Sequence, residues 1–121
     1  MKYICLVYQE EDCLAKLPPE ERGAWVADVN DYIASLRESG NFIDASPLHA
    51  PHAATTLRLR QGQVLISDGP FTETREQLGG YYLIEAHDLN DAIRIASKMP
   101  QMRTGTIEVR PLREQHHAIT S

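Results

Sequence analysis

Cysteine is scarce: the 121 residues hold two, Cys5 in an apolar stretch and Cys13 in the loop after it. Two such thiols supply neither a disulfide framework nor a thiolate metal site, and they suit a reducing, cytoplasmic setting. No apolar run approaches the roughly 20 residues that a bilayer-spanning helix needs, so no membrane association is expected. Positive charge is short as well. Twelve Lys and Arg stand scattered against seventeen Asp and Glu, a net charge of -5, whereas a nucleic-acid binder clusters its cations to neutralise phosphates. The chain also lacks a Gly-rich phosphate loop, a G-x-S-x-G elbow, a zinc-binding helix and a paired nucleophile and base, so no cofactor is expected. The opening "MKYICLVYQEED" has one lysine before its apolar residues but reaches acids without a small-residue cleavage site. It reads as a first strand rather than a signal peptide.

What remains is the composition of an ordinary globular domain, 42% hydrophobic and 24% charged. The length suits one domain, placed at residues 1–112, with a loosely attached tail at 113–121. "KYICLVY" (2–8) and "GGYYLIEA" (79–86) are apolar without alternation, as in strands buried on both faces. Both should be central. "PPEERGAWVADVNDYIASLRESG" starts with prolines and acids, ends on glycine, and sets Trp25, Val29, Tyr32, Ile33 and Leu36 on one helical stripe. "DLNDAIRIASKMP" predicts a second helix capped by Asp88, with Leu89, Ala92, Ile93 and Ala96 inward and Pro100 past its end. "NFIDASPL" predicts a short strand, "TTLRLRQGQVLISD" two strands turning at Gln61-Gly62, and "GTIEVRPL" the last strand.

This order, βαβ(ββ)βαβ, suits an α+β, ferredoxin-like sandwich with an inserted hairpin. Two helices cover one face of its sheet, yet the central strands are apolar on both. An exposed face of that kind exceeds what monomers usually leave in water, which predicts a homodimer packed sheet against sheet.

In "QVLISD" (63–68) the two-residue period puts Val64, Ile66 and Asp68 on one face. Gly69 and Pro70 then make a stiff turn that holds the carboxylate at a strand end, with Phe71 expected to anchor the turn in the core. The stretch "DGPFTETREQLGGYYLIEA" (68–86) closely resembles the signature of the YCII-related, DGPF-domain family of small bacterial proteins, and the resemblance extends more weakly over residues 1–112. It implies a ferredoxin-like fold assembled as a dimeric α/β barrel. It also implies a cleft with a His and Asp pair; the wider superfamily includes a dehydrochlorinase of chlorinated hydroxyquinols, and DGPF-type genes often lie beside extracytoplasmic-function sigma factors. Asp68 matches the aspartate, while the first-helix region "ERGAWVADVNDYIASLRESG" holds no histidine.

Two functions stand at this point. One is a cofactor-independent enzyme of isomerase or lyase type, or a degenerate one, binding a small aromatic or anionic ligand, with Asp68 as acid or base. The other is a non-catalytic dimeric accessory module in sigma-factor signalling. Asp68 has a plainer role open to it, accepting backbone N–H bonds in its turn. His49 is the candidate replacement for the family's histidine, and with His52 it makes an H-x-x-H pair that falls short of the three or four ligands a zinc site needs. Arg103 suits an anion or an ion-pair network with Glu108 and Arg110. Tyr8 and Tyr82 are core residues whose hydroxyls could reach a pocket.

Overall fold

The computed structural model describes residues 1–113, so the expected tail lies, after Arg113, outside the described residues. Six strands, β1 (Lys2–Glu10), β2 (Phe42–Pro47), β3 (Thr55–Arg60), β4 (Gln63–Asp68), β5 (Glu76–Glu85) and β6 (Gly105–Pro111), are joined with two helices, α1 (Pro19–Ser39) after β1 and α2 (Leu89–Ala96) after β5. The fold is α+β. Its main sheet is antiparallel in the order β2-β5-β1-β6, so the two strands that are apolar on both faces are the two central ones. β3 and β4 form a separate two-stranded sheet, turned by Gln61 and Gly62 at φ 51 and 77. Two successive positive φ values make the turn whose twist matches that of a hairpin.

α1 begins with Pro19 in its first turn and ends at Gly40, whose φ of 81 lets its N–H close the last turn on Arg37. Glycine pays little for that left-handed cap. α2 is held at its start by reciprocal capping: Asp91 N–H donates to the Asp88 carboxylate, and His87 N–H to that of Asp91. The donated His87 N–H, then Arg94, hold the Asp91 carboxyl below its ordinary value.

Both helices bury the same sheet face, where Tyr3, Cys5, Val7, Tyr82 and Ile84 meet Leu36 of α1 and Ala92, Ile95 and Ala96 of α2. Burial pushes the Cys5 thiol up to about 11. The opposite face carries Ile4, Leu6, Tyr81 and Leu83, all half-buried, beside an ion pair between Arg110 and Glu108. No helix among the described residues lies on it.

Three expectations change. The inward stripe of α2 is Ala92, Ile95 and Ala96, while Leu89 and Ile93 stand about half exposed. Phe71 does not enter the core; it is 70% exposed, and the Arg58 guanidinium sits 4.6 Å above its ring. β5 starts at Glu76, three residues before the Gly79 expected, because Glu76 and Gln77 extend the ladder to Glu10 and Gln9.

Candidate functional site

A cavity lies between the amino-terminal half of α1 and the helical face of the sheet. It measures about 360 Å3 and is lined by Trp25, Val26, Val29 and Ile33 from the helix, Val7 and Gln9 from β1, Ala45 to Pro47 from β2, and Gly79 to Tyr82 from β5, with Leu14, Asn30 and Gln101 closing it. That volume falls in the range of small-molecule pockets, which are mostly apolar with a few polar groups to orient a ligand. None of these side chains carries a formal charge.

Small residues build the floor. A Cβ on Gly80 would come within 2.9 Å of the Ser46 carbonyl oxygen, and one on Gly79 within 3.0 Å of Gln9 Nε2. Neither glycine has a positive φ, so it is close approach and not turn geometry that calls for them. The polar groups are three carboxamides and one phenol. Tyr82, buried, donates its hydroxyl to Gln101 Oε1 at 2.9 Å. Burial raises the Tyr82 pKa and outweighs the opposing effect of the Gln101 amide, so the phenol is a donor at neutral pH. Thr104 Oγ1 lies 3.2 Å from Gln9 Oε1 and 3.3 Å from the Gln101 main-chain carbonyl, and shares its one proton between them. Arg103 stays outside the lining: its guanidinium sits 5.3 Å over the Trp25 ring and pairs with Asp28 at 2.9 Å.

Asp68 occupies a different place. It ends β4 opposite Thr55 and lines an open groove of about 400 Å3 with Glu11, His52, Gly69, Pro70 and Glu73. Its turn is tied by other atoms, since Gly69 N–H donates to the Ala54 carbonyl and Thr56 Oγ1 to that of Gly69. Among the described residues no hydrogen bond reaches the Asp68 carboxylate, so the turn does not need it as an acceptor. His52, not His49, shares its groove, with Nδ1 3.5 Å from Glu11 Oε1. His49 is exposed and lines neither space. Among the described residues no three His, Cys, Asp or Glu are grouped to hold a metal ion.

Tyr8 lies on the uncovered sheet face, where its hydroxyl donates to Glu108 at 3.3 Å. Partial burial, then that carboxylate, raises its pKa. The five candidates therefore divide: Tyr82 lines the cavity with Arg103 at its rim, Asp68 faces the hairpin groove, Tyr8 looks out from the second sheet face, and His49 stands apart. The sequence reading passed over Trp25 as a ligand contact, and over Gln9, Asn30 and Gln101. Trp25 carries the apolar spacing of a core residue, and the carboxamides have no spacing signal.

A family model for the YCII-related domain matches residues 1–116. The chain belongs to the YCII-related family. An uncharacterized protein of Rhizobium meliloti, R00369, is 35% identical over 114 residues, covering 93% of this chain and 92% of its own. Among solved structures, 5-chloro-2-hydroxyhydroquinone dehydrochlorinase (TftG) from Burkholderia phenoliruptrix, in complex with 2,5-dihydroxybenzoquinone, superposes with a TM-score of 0.56. It covers 97% of this YCII-related chain and 98% of its own at 14% identity, a likeness of fold. No helix among the described residues is long and apolar enough to cross a membrane.

Proposed function

We propose that this YCII-related protein binds a small molecule in the cavity beneath α1, within a ferredoxin-like subunit that pairs sheet to sheet as a dimeric α/β barrel. The cavity carries the reading. It is largely apolar, enclosed by helix and sheet, and provided with carboxamides at fixed places. Support for pairing comes from the second sheet face, which offers Ile4, Leu6, Tyr81 and Leu83 to no helix among the described residues. That the dehydrochlorinase of like fold binds a dihydroxybenzoquinone accords with a fold that accommodates ring compounds.

The test is to fill the space. Val26 lines the cavity yet is 56% exposed, so Val26→Trp narrows the site without disturbing the core. Ligands found by screening wild-type protein should lose binding to this variant while its melting temperature holds. Full binding by the filled variant would remove the cavity as the site.

A second reading, proton transfer by Asp68, is favoured by one observation. Its carboxylate has no structural hydrogen bond among the described residues and shares a groove with the His52 imidazole, the pairing a general acid and base require.

A further inference from the structure

We propose that the cavity under α1 selects an uncharged, flat, largely aromatic molecule bearing a carbonyl-type acceptor oxygen, which the Gln101 side-chain amide meets as hydrogen-bond donor while Tyr82 holds that amide in place. The inference rests on the cavity being the ligand site and adds what the ligand must be.

Charge comes first. An anion would enter a space whose lining, among the described residues, contains no cation, and the guanidinium of Arg103 is committed to the Trp25 ring and to Asp28. A cation would find no carboxylate there either. Burying an unpaired charge is costly, so both classes are disfavoured against a neutral molecule.

The direction of the hydrogen bonds comes second. A carboxamide offers one acceptor oxygen and two donor hydrogens. The Gln101 oxygen is taken by the Tyr82 hydroxyl at 2.9 Å, and no hydrogen bond from Gln101 Nε2 occurs among the described residues. Its nitrogen, which solvent reaches, keeps its donor hydrogens free of any protein acceptor among the described residues. Gln9 repeats the pattern more weakly, its oxygen facing Thr104 Oγ1 at 3.2 Å and its nitrogen lying over Gly79. A ligand that meets Gln101 and Gln9 supplies oxygen lone pairs there rather than N–H groups, while Asn30 offers both a donor and an acceptor. Shape comes third: the Trp25 ring and the branched side chains of Val29 and Ile33 face a floor of glycine and alanine, an arrangement that accepts a flat ring.

The test uses three probes of one size, acetophenone, ethylbenzene and benzoate, titrated against the intact protein and followed by NMR through the indole N–H of Trp25, the only tryptophan. Acetophenone should bind more tightly than benzoate. Gln101→Leu should lower the ratio of acetophenone to ethylbenzene affinity by about two- to tenfold, the worth of one net hydrogen bond, and should spare ethylbenzene. Tyr82→Phe, which leaves the amide in place but unheld, should lower the same ratio by a smaller factor. A ratio unchanged in Gln101→Leu, or benzoate as the tightest ligand, overturns the ligand class while leaving the cavity as a site. No perturbation of Trp25 by any probe overturns the cavity reading and the class with it.

Discussion

Gly79 and Gly80 adjoin one another in β5, line the same cavity, and should respond to the same substitution in opposite ways. In Gly80→Ala the new methyl would stand 2.9 Å from the Ser46 carbonyl oxygen and 3.3 Å from Cα of Pro47. Both are backbone atoms of the paired strand β2, so the strand itself must give. As an edge strand β2 can move outward, but that motion strains the bond from Leu48 N–H to the Gly79 carbonyl, now 2.9 Å. Overpacking of this kind costs about 1–3 kcal/mol, of which alanine recovers up to about 1 kcal/mol by its smaller loss of chain entropy. The net loss of about 1–2 kcal/mol should lower the melting temperature by roughly 4–8 °C for a domain near this size. In Gly79→Ala the methyl meets only the side chain of Gln9, at 3.0 Å from its Nε2. That side chain can swing away, so the variant should melt within about 1 kcal/mol of wild type or slightly above it. Thermal unfolding followed by circular dichroism, side by side, decides the matter. If the two alanine variants melt together, close backbone approach is not why glycine stands at position 80.

Two further substitutions separate the remaining readings. Leu6→Glu places a carboxylate on the uncovered sheet face directly opposite Glu108; if that face joins two copies, sedimentation should shift from dimer to monomer and the melting temperature should fall, because association stabilises the folded state, and a wild-type protein that sediments as a monomer would dismiss the pairing. Asp68→Asn keeps the shape of the β4 turn, which is tied by Gly69 N–H and Thr56 Oγ1, so the protein should melt unchanged, within about 0.5 kcal/mol. If Asp68 transfers protons, turnover of any substrate should then vanish, whereas undiminished turnover would end its role as acid or base.

Much of the architecture was legible because it follows from local rules. Unbroken apolar runs marked β1 and β5, and glycine with proline punctuated the helices and the hairpin. The register of α2 was not legible, and the reason is specific. Leu89, Ala92, Ile93 and Ala96 are spaced i, i+3, i+4, i+7, and so are Ala92, Ile95, Ala96 and Met99. Both stripes satisfy helical periodicity; the second is buried because the core at Cys5 and Ile84 receives it. Phe71 misled for a related reason: an aromatic after a Gly-Pro turn suggests an anchor, but here it stands out beside the hairpin, under a guanidinium from β3.

The cavity itself could not be read from spacing, because it arises from how α1 meets the sheet. Leu36, near the carboxy-terminal end, is the one α1 residue fully buried, with Tyr32 and Ile33 partly so. Towards the amino terminus the same apolar stripe continues through Val29 and Trp25, yet these are only half-buried, and Val26 is more than half exposed. A helix seated at one end and raised at the other leaves a wedge, and the floor beneath it is made of Ala45, Gly79 and Gly80, residues too small to fill it. Close packing is the norm for interiors, and each missing contact forgoes dispersion energy. Larger residues on that floor would have closed the wedge at no evident cost to the fold except at Gly80, where backbone approach forbids a side chain. At Ala45, which pairs with Tyr82 on the helical face, the small side chain therefore keeps the space open, which is what a protein needs if something other than itself is to occupy it.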